Sequence, residues 1–297
     1  MSPLIVPFPN NEVLGNRLAD SLSGTRGVLE TRQFPDGETY LRFADDPQRR
    51  DVVLVCTLDR PDAKMAPLLF AAEAARELGA RRVGLVAPYL CYMRQDSRFQ
   101  AGEALTSRSF AKLISRAFDW LVTVDPHLHR YRSLAEIYSI PAKSLHAGPA
   151  IANWVTQNVA KPYLIGPDAE SQQWVEAVAA ACGAPWTVAQ KTRQGDNMVH
   201  EQLFAAAIPE NTTPVLLDDI VSSGATLLET LRLLKCSNGP FPIAIAIHGL
   251  CDARTEAALK TAGARLVTTN SVPNPAAQID TVPIIATGVA EFLAPSA

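Results

Sequence analysis

Short runs of β-branched and other apolar residues alternate along the chain with longer segments whose apolar residues recur at helical spacing. Continuous apolar runs are typical of strands buried on both faces, as in parallel sheets whose strands are joined by crossover helices. The runs predict strands at 51–58, 81–90, 119–125, 162–168, 213–219, 243–250 and 264–270. The alternation therefore predicts the α/β class.

The segments between these runs favour helices. "APLLFAAEAARELGA" (66–80) keeps apolar residues on one helical face and reaches Gly79, a natural C-terminal stop. "SQQWVEAVAAACGA" and "ATLLETLRLLKCSNG" show the same pattern, and "GVAEFLAPSA" predicts a short helix with a frayed tail. The rhythm of strands and helices runs twice and is interrupted at 138–149 by Pro141, Gly148 and Pro149. We therefore predict two domains, at 1–146 and 147–297.

Composition narrows the class of partner. The chain has 297 residues, 47% of them hydrophobic, so a sizeable core is available. Its net charge of -3 argues against nucleic-acid binding through general basicity and favours small partners. The five cysteines are odd in number and lack a C-x-x-C spacing, which indicates neither a disulfide framework nor a zinc site.

Targeting signals do not change this picture. Prolines interrupt the apolar N-terminal stretch "MSPLIVPFPNNEV", which therefore does not resemble a signal peptide. Apolar runs such as "VVLVCTL" fall far below the roughly 18 to 20 residues that a membrane span needs. We expect a cytoplasmic protein that binds no membrane.

The stretch "VLLDDIVSSGATLLET" (215–230) places Asp218 and Asp219 where a strand is predicted to end. A turn with a helix cap explains one acid but not two. In parallel sheets, ligands bind at the carboxyl ends of strands, and two carboxylates there can accept hydrogen bonds from a vicinal diol. The loop that follows combines hydroxyls, a glycine and the unpaired amides of a new helix, which suit a phosphate. The pattern predicts a ribose phosphate site formed by Asp218, Asp219, Ser222, Ser223, Gly224, Ala225 and Thr226.

This stretch resembles the loop that phosphoribosyltransferases share with ribose-phosphate pyrophosphokinases, and it does not separate the two families. "FPDGETY" (34–40) and "PYLCYMRQDSRFQAGEALTSR" (88–108) resemble nucleotide-binding elements that only the pyrophosphokinases have. The resemblance implies that ATP is bound by Phe34, Asp36, Glu38, Arg94 and Gln95. Carboxylates can accept from adenine or ribose and Arg94 can bind phosphate. "PDGE" taken alone is typical of a β-turn.

Three further segments resemble the pyrophosphokinase family. In "TVDPHLHRY" (123–131), His127 matches a histidine that binds magnesium-ATP. Imidazole is an unusual magnesium ligand, so contact through phosphate or water stays open. His129 and Arg130 have no match and are expected in a solvated loop. In "LIGPDAES" (164–171), Asp168 matches the aspartate near the diphosphate and metal.

The last of these segments, "QKTRQGDNMV" (190–199), resembles the mobile catalytic segment of the family. The resemblance implies that Lys191 and Arg193 are catalytic. Two residues apart in an extended loop, their side chains can act on one polyphosphate. A Lys-x-Arg pair alone is typical of an ordinary surface.

The resemblance extends in the family's order from Phe34 to Asn270. It implies two phosphoribosyltransferase-like domains, each a mostly parallel sheet flanked by helices, with ATP on the first, ribose 5-phosphate on the second, and the active site between them. The implied reaction transfers the diphosphoryl group of ATP to the C1 hydroxyl of ribose 5-phosphate with Mg²⁺, held by His127 and Asp168, and releases AMP. The alternatives are a phosphoribosyltransferase and a catalytically silent regulatory relative.

Two departures favour the shorter archaeal type of this family. No lysine-rich stretch follows Arg94-Gln95-Asp96, and Ser222 stands where many members have a further acid. In the family, the "FPDGE" element reaches across a subunit contact. We therefore expect a homodimer or a larger homo-oligomer.

Overall fold

The computed structural model describes the backbone of residues 1–194, 199–204, 209–234 and 240–294, and the side chains of these residues apart from 190–194 and 199–204. The chain forms two compact units, Met1–His146 with Thr281–Ala297, and Ala147–Asp280. The division after His146 falls where the sequence placed a domain boundary. The C-terminal helix, which we predicted in the second domain, instead belongs to the first unit.

The first unit is built on a parallel sheet with the strand order β2-β1-β5-β6-β7-β8. Its strands are β1 (Leu4–Pro7), β2 (Thr25–Arg26), β5 (Asp51–Val55), β6 (Arg82–Ala87), β7 (Trp120–Val124) and β8 (Ala142–Leu145). A separate antiparallel hairpin joins β3 (Leu29–Gln33) to β4 (Thr39–Phe43). The helices are α1 (Glu12–Ser21), α2 (Asp62–Glu77), α3 (Thr106–Ala117) and α8 (Val282–Leu293). Every residue of β5 and β7 is buried, which explains why these strands are apolar apart from Asp51 and Thr123.

The second unit has a sheet with the order β11-β10-β9-β12-β13-β14-β15, parallel except for the β10–β11 pair. Its strands are β9 (Pro162–Gly166), β10 (Trp186–Gln194), β11 (Val199–Phe204), β12 (Thr213–Val221), β13 (Ile243–Gly249), β14 (Arg265–Thr269) and β15 (Ala277–Ile279). The helices are α4 (Gly148–Asn158), α5 (Gln172–Cys182), α6 (Ala225–Leu233) and α7 (Ala253–Thr261). A short 3₁₀ helix, Ala169–Ser171, precedes α5. The predicted α/β class and its mostly parallel sheets are confirmed.

The predicted strands and helices are all present, with shifted ends. Helix α2 was predicted from residue 66 by the spacing of its apolar residues, but it begins at Asp62 and contains Pro67. Strand β8 lies in the region read only as an interruption. It is short and half polar, so it carries no strong apolar pattern.

Helix α8 packs over β7 and β8 of the first unit. The Trp120 and Phe292 rings stack with centroids 4.9 Å apart, and Lys143 pairs with Glu291. A Cβ added at Gly288 would lie 2.8 Å from a methyl carbon of Leu145, so the helix approaches the sheet closely. Helix α8 follows the second unit along the chain, so the sequence alone does not reveal that it belongs to the first unit.

Candidate functional site

The two adjacent acids lie near the carboxyl end of β12, in the middle of the second sheet. We call this carboxyl end the edge of β12. Strand β12 pairs with β9 only as far as Leu216, whereas its pairing with β13 continues to Val221. Asp218 and Asp219 therefore lie beyond the last residue paired with β9, and the strand runs two residues past them instead of ending at 219 as predicted. Asp168 follows the end of β9 at the same edge. The carboxyl ends of two neighbouring parallel strands thus supply all three acids.

These acids crowd negative charge into a partly buried site. Asp219 is buried, and Asp218 is half-buried and accepts a hydrogen bond from the Asp219 N–H at 2.9 Å. Burial raises the pKa of Asp218 to about 7, and the charges of Asp219 and Asp168 contribute to this rise. The cluster therefore holds a proton near neutral pH unless a cation or hydrogen-bond donors compensate it.

Asp168 combines a structural contact with an accessible oxygen. Its Oδ1 accepts hydrogen bonds from the N–H groups of Glu170 at 3.0 Å and Ser171 at 3.1 Å, which caps the 3₁₀ helix. Among the described residues, none donates a hydrogen bond to Oδ2. Capping consequently fixes the carboxylate and leaves one oxygen for a ligand.

The carboxylates of this site suit magnesium, which takes few protein ligands, better than a metal that is held by protein side chains alone. Among the side chains that the structure describes, no three His, Cys, Asp or Glu groups gather to hold a metal by themselves. Magnesium usually keeps several waters and takes only one or two carboxylates together with substrate phosphates. The acids at the edge of β12 offer oxygen ligands of this kind, and the raised pKa of Asp218 reflects nearby negative charge that a dication would offset.

The loop after β12 leads into α6 through Gly224, whose φ of 69° is easily reached only by glycine. The first helical hydrogen bond runs from the Leu228 N–H to the Gly224 carbonyl at 2.8 Å. The amides at 225–227 therefore have no acceptor within the helix, and only that of Ala225 makes a long contact, 3.4 Å, with Ser223 Oγ. Ser222 and Ser223 are exposed. This geometry suits an anion at the start of α6.

The first turn of α7 packs against this loop. A Cβ added at Gly224 would lie 2.8 Å from the Thr255 methyl group, so a side chain at 224 has no room. The loop and α7 line one cavity of about 520 Å³. Its lining includes Ser222, Ser223, Asp252, Arg254 and Thr255. Sequence reasoning missed the two charged residues of α7, because they lie about thirty positions beyond the loop.

In the first unit, Phe34, Asp36 and Glu38 lie at the tip of the β3–β4 hairpin. The turn is closed by hydrogen bonds from the Phe34 N–H to the Glu38 carbonyl at 2.8 Å and from the Gly37 N–H to the Phe34 carbonyl at 2.9 Å. "PDGE" is therefore a turn, and its side chains are exposed. The Arg32 guanidinium lies 4.6 Å from the centre of the Phe34 ring and holds that ring against the hairpin.

A cavity of about 310 Å³ is lined by the strand residues of this hairpin that lie next to its tip, including Gln33 and Thr39. Arg32, Gln33 and Lys64 are among its lining residues, and the Lys64 ammonium is paired with Asp59 at 2.5 Å. The tip residues Phe34, Asp36 and Glu38 do not line it. The cavity therefore borders the hairpin tip without including its side chains.

Two segments predicted to bind ATP meet in the first unit. The buried Asp96 accepts a hydrogen bond from Arg130 Nη1 at 2.8 Å, and the two groups form an ion pair. Ser107 Oγ donates to the Gln95 carbonyl at 3.0 Å and lies 3.1 Å from the Tyr131 hydroxyl. Segments 94–107 and 127–131 are thus joined by direct contacts. Arg130 lies in an exposed loop, as expected, and in addition its charge compensates a buried carboxylate.

The predicted ATP residues in these segments differ in their contacts. Arg94 is exposed and forms no ion pair or hydrogen bond with any described residue, so it is accessible to a phosphate. The Gln95 side-chain carbonyl accepts a hydrogen bond from Thr106 Oγ1 at 3.0 Å, which leaves its amide to face a ligand. The His127 ring is half-buried, with its centroid 5.9 Å from that of His129.

A histidine that sequence reasoning missed lies beside this region. His146 follows β8, and its Nδ1 lies 2.9 Å from Oδ1 of Asp125, which follows β7 and is buried. The hydrogen bond to Asp125 raises the pKa of His146. Adjacent parallel strands bring the two residues together, so a prediction of β8 would have been the signal for this pair.

The residues predicted to be catalytic are described only through their backbone. Lys191 and Arg193 lie in β10, opposite Gln202 and His200 of β11, and not in an extended loop as predicted. Their side chains lie outside the described residues, so their catalytic role remains a prediction.

Comparison with known proteins decides the family. Residues 4–117 match the N-terminal domain of ribose phosphate pyrophosphokinase, and residues 133–281 match the phosphoribosyl transferase domain. A ribose-phosphate pyrophosphokinase of Methanopyrus kandleri is 31% identical over 284 residues, which cover 93% of this chain and 94% of the relative. One of Methanosarcina mazei is 30% identical over 293 residues, or 97% and 95% of the two chains. The chain belongs to the ribose-phosphate pyrophosphokinase family.

The fold agrees with that family. The crystal structure of phosphoribosylpyrophosphate synthetase from Mycobacterium smegmatis superimposes with a TM-score of 0.84 at 21% identity, covering 98% of this chain and 99% of that one. Two phosphoribosyltransferase-like domains are therefore confirmed, as is the resemblance to archaeal members. The match to the N-terminal domain of the pyrophosphokinases also counts against a single-domain phosphoribosyltransferase.

Proposed function

We propose that this protein transfers the diphosphoryl group of ATP to the C1 hydroxyl of ribose 5-phosphate, yielding 5-phosphoribosyl 1-diphosphate and AMP. The observation that carries the proposal is the edge of β12, where Asp168, Asp218 and Asp219 lie close to helix α6, whose N-cap is Gly224. Acids beside an anion-binding loop match a molecule that carries both a diol and a phosphate. Ribose 5-phosphate has both groups.

The sugar is proposed to lie along this edge. Asp218 and Asp219 accept hydrogen bonds from the ribose hydroxyls, and the unpaired amides at 225–227 donate to the 5-phosphate. Ser222, Ser223 and Thr226 add hydroxyl donors. Both acceptors are restrained, because Asp219 is only 7% exposed and the half-buried Asp218 accepts a hydrogen bond from the Asp219 amide. Fixed acceptors bind a diol without loss of side-chain entropy.

The nucleotide is proposed to bind residues of the first unit: Phe34, Asp36, Glu38, Arg94, Gln95 and His127. Support comes from the contacts that join segments 94–107 and 127–131 through Asp96 and Arg130. These contacts hold Gln95 and His127 in one region of the fold. Arg94, exposed beside Gln95, is the proposed cation for the triphosphate.

The chemistry is a displacement at phosphorus. The C1 oxygen attacks the β-phosphorus, the bond from that phosphorus to the oxygen bridging the α- and β-phosphates breaks, and AMP leaves. Positioning of both substrates and charge neutralisation supply most of the rate in such transfers. Lys191 and Arg193 are the proposed cations that stabilise the transferring group.

Magnesium is the proposed cofactor, and when bound it would offset charge on the diphosphate. Asp168 would hold it through the oxygen that the capped 3₁₀ helix leaves accessible. His127 is proposed to bind magnesium-ATP through phosphate or through water, because imidazole is a poor direct ligand for magnesium.

An assay with purified protein, magnesium-ATP and ribose 5-phosphate tests this function. We expect AMP and 5-phosphoribosyl 1-diphosphate in equal amounts. A phosphoribosyltransferase would instead consume 5-phosphoribosyl 1-diphosphate with a nucleobase and ignore ATP. A regulatory relative would turn over neither mixture, and either result would refute the proposal.

We also propose that the chain forms a homodimer or a larger homo-oligomer in the cytoplasm. The support is the exposed β3–β4 hairpin tip, which includes a 39% exposed Phe34 ring. None of the helices in the described ranges is long and apolar enough to cross a bilayer. A fully active monomer in light scattering would contradict the oligomer.

A further inference from the structure

The cavity beside the phosphate loop has one wall that the ribose 5-phosphate proposal does not use. This wall is formed by the N-cap Asp252 and by Arg254 and Thr255 in the first turn of α7, where the Thr255 methyl group packs against Gly224. Arg254 is the only basic residue among those lining the cavity. Its side chain is exposed and has no ion pair within 4.0 Å to any described residue. The guanidinium is thus accessible to a ligand of the loop.

A phosphate at this loop would be repelled by the negative charges of nearby acids. Residues 222–226 carry no charge, so they supply only neutral hydrogen-bond donors. The acids Asp218 and Asp219 precede the loop on β12. Asp252, on the opposite wall, accepts a hydrogen bond from the Thr255 N–H at 2.9 Å, which lowers the pKa of Asp252 and keeps it ionised at neutral pH. A dianion between these acids is repelled unless a cation is present.

We propose that Arg254 binds the 5-phosphate of ribose 5-phosphate and gives the site its preference for a phosphorylated sugar. The inference rests on the proposed function, which places that sugar at the loop. A guanidinium presents parallel N–H donors that match two phosphate oxygens, so it adds geometric selectivity as well as charge. Arg254 is close enough to line the same cavity as Ser222 and Ser223. Without it, Asp252 would remain as the charged group of α7 facing the phosphate.

Binding measurements without ATP test this role. Isothermal titration calorimetry would compare ribose 5-phosphate with ribose for the wild type, Arg254→Ala, Arg254→Lys and Lys260→Ala. Lys260 is a matched control, because it is an exposed cation on the same helix that does not line the cavity. We expect Arg254→Ala to raise the dissociation constant for ribose 5-phosphate about 10- to 100-fold and to leave that for ribose unchanged. Arg254→Lys should recover part of the loss, and Lys260→Ala should lose nothing.

An activity assay of the wild type distinguishes failure of the role of Arg254 from failure of the proposed function on which that role rests. If the wild type forms 5-phosphoribosyl 1-diphosphate and Arg254→Ala binds ribose 5-phosphate as tightly as wild type, the role of Arg254 is refuted and the proposed function stands. An equal loss for ribose and for ribose 5-phosphate would also overturn it, because the residue would then not act on the phosphate. If the wild type neither binds nor converts ribose 5-phosphate, the proposed function itself fails.

Discussion

The proposed sugar site and the proposed nucleotide site differ in how the chain builds them and in how their charge is compensated. The sugar site comes mainly from one strand, one loop and one helix start, at 218–226. The nucleotide site draws on a hairpin tip and on two segments held together by an ion pair. In the first unit, the buried carboxylates of Asp96 and Asp125 contact Arg130 and His146. The carboxylate of Asp218 has acids as its charged neighbours.

The paired carboxylates of the first unit and the clustered carboxylates at the edge of β12 are expected to have different roles, the first in folding and the second in ligand binding. Removing the basic partner of a buried carboxylate destabilises the fold, and a paired carboxylate leaves little charge for a ligand to offset. A buried carboxylate beside other carboxylates costs stability, which a bound metal or sugar can restore. Stability should therefore respond to mutation mostly in the first unit, and ligand binding mostly at the edge of β12.

The largest expected effect lies outside both sites. Lys191→Ala or Arg193→Ala should lower turnover about 10²- to 10³-fold, while the Michaelis constants move only a few fold, because these cations are proposed to act on the transition state. Steady-state kinetics of each variant beside Lys260→Ala measures this. Unchanged turnover in both single variants would return the segment to an ordinary surface and leave Arg94 as the main phosphate cation.

Replacing both acids at the edge of β12 tests whether this region binds the sugar and not the nucleotide. Asp218→Asn with Asp219→Asn should weaken ribose 5-phosphate a hundredfold or more, since each charge-assisted hydrogen bond contributes about 1.5 to 3 kcal/mol. The affinity for ATP should change much less. Calorimetry that finds sugar binding intact and ATP binding lost would mean that the two sites are reversed.

The pKa of Asp218 gives a pH test without ligand or metal. Because folding raises this pKa from 3.8 to about 7, the folded state binds more protons than the unfolded state between these values, and stability falls as pH rises through the window. We expect the metal-free protein to lose about 2 to 3 kcal/mol between pH 5 and 8 from this group. Urea unfolding should show the loss in the wild type and in Glu176→Gln, an exposed control, but not in Asp218→Asn. A parallel loss in Asp218→Asn would assign it elsewhere.

Breaking the ion pair of the first unit should affect stability instead. Arg130→Ala leaves the Asp96 carboxylate, whose side chain is 2% exposed, without its cation. We expect the free energy of unfolding to fall by about 1 to 2 kcal/mol, because Arg130 itself is partly solvated. Arg132→Ala, an exposed neighbour, is the control. Restoration of stability when Asp96→Asn is added to Arg130→Ala would identify the unpaired charge as the cause, and its absence would contradict it.

The smallest effect concerns His146. The hydrogen bond to Asp125 raises the pKa of His146 in the folded state, so its contribution to stability is present below about pH 6.5 and is lost as pH rises through the folded pKa. The imidazole is 77% exposed, so we expect less than about 1 kcal/mol after solvent screening. His146→Gln should lower the melting temperature slightly at pH 5.5 and not at pH 9. A larger loss at pH 9 would contradict an electrostatic contribution.

The same contrast explains what the sequence could predict. The central strands were predictable because burial on both faces leaves unbroken apolar runs, and the sugar loop because its residues are contiguous. Arg254, the Asp96–Arg130 pair and the Asp125–His146 pair join residues far apart in the chain, and no local pattern marks them. Helix α8 was misplaced for the same reason, since its contacts with β7 and β8 arise only after folding.

The central claim, attack of the ribose C1 oxygen on the β-phosphorus of ATP, is tested most directly with ribose 5-phosphate carrying ¹⁸O at C1. Phosphorus NMR and mass spectrometry would follow the label after reaction with magnesium-ATP. We expect ¹⁸O to stay in the bond joining C1 to the new diphosphate and AMP to carry none. Label in AMP, or a diphosphate product without label at C1, would contradict it.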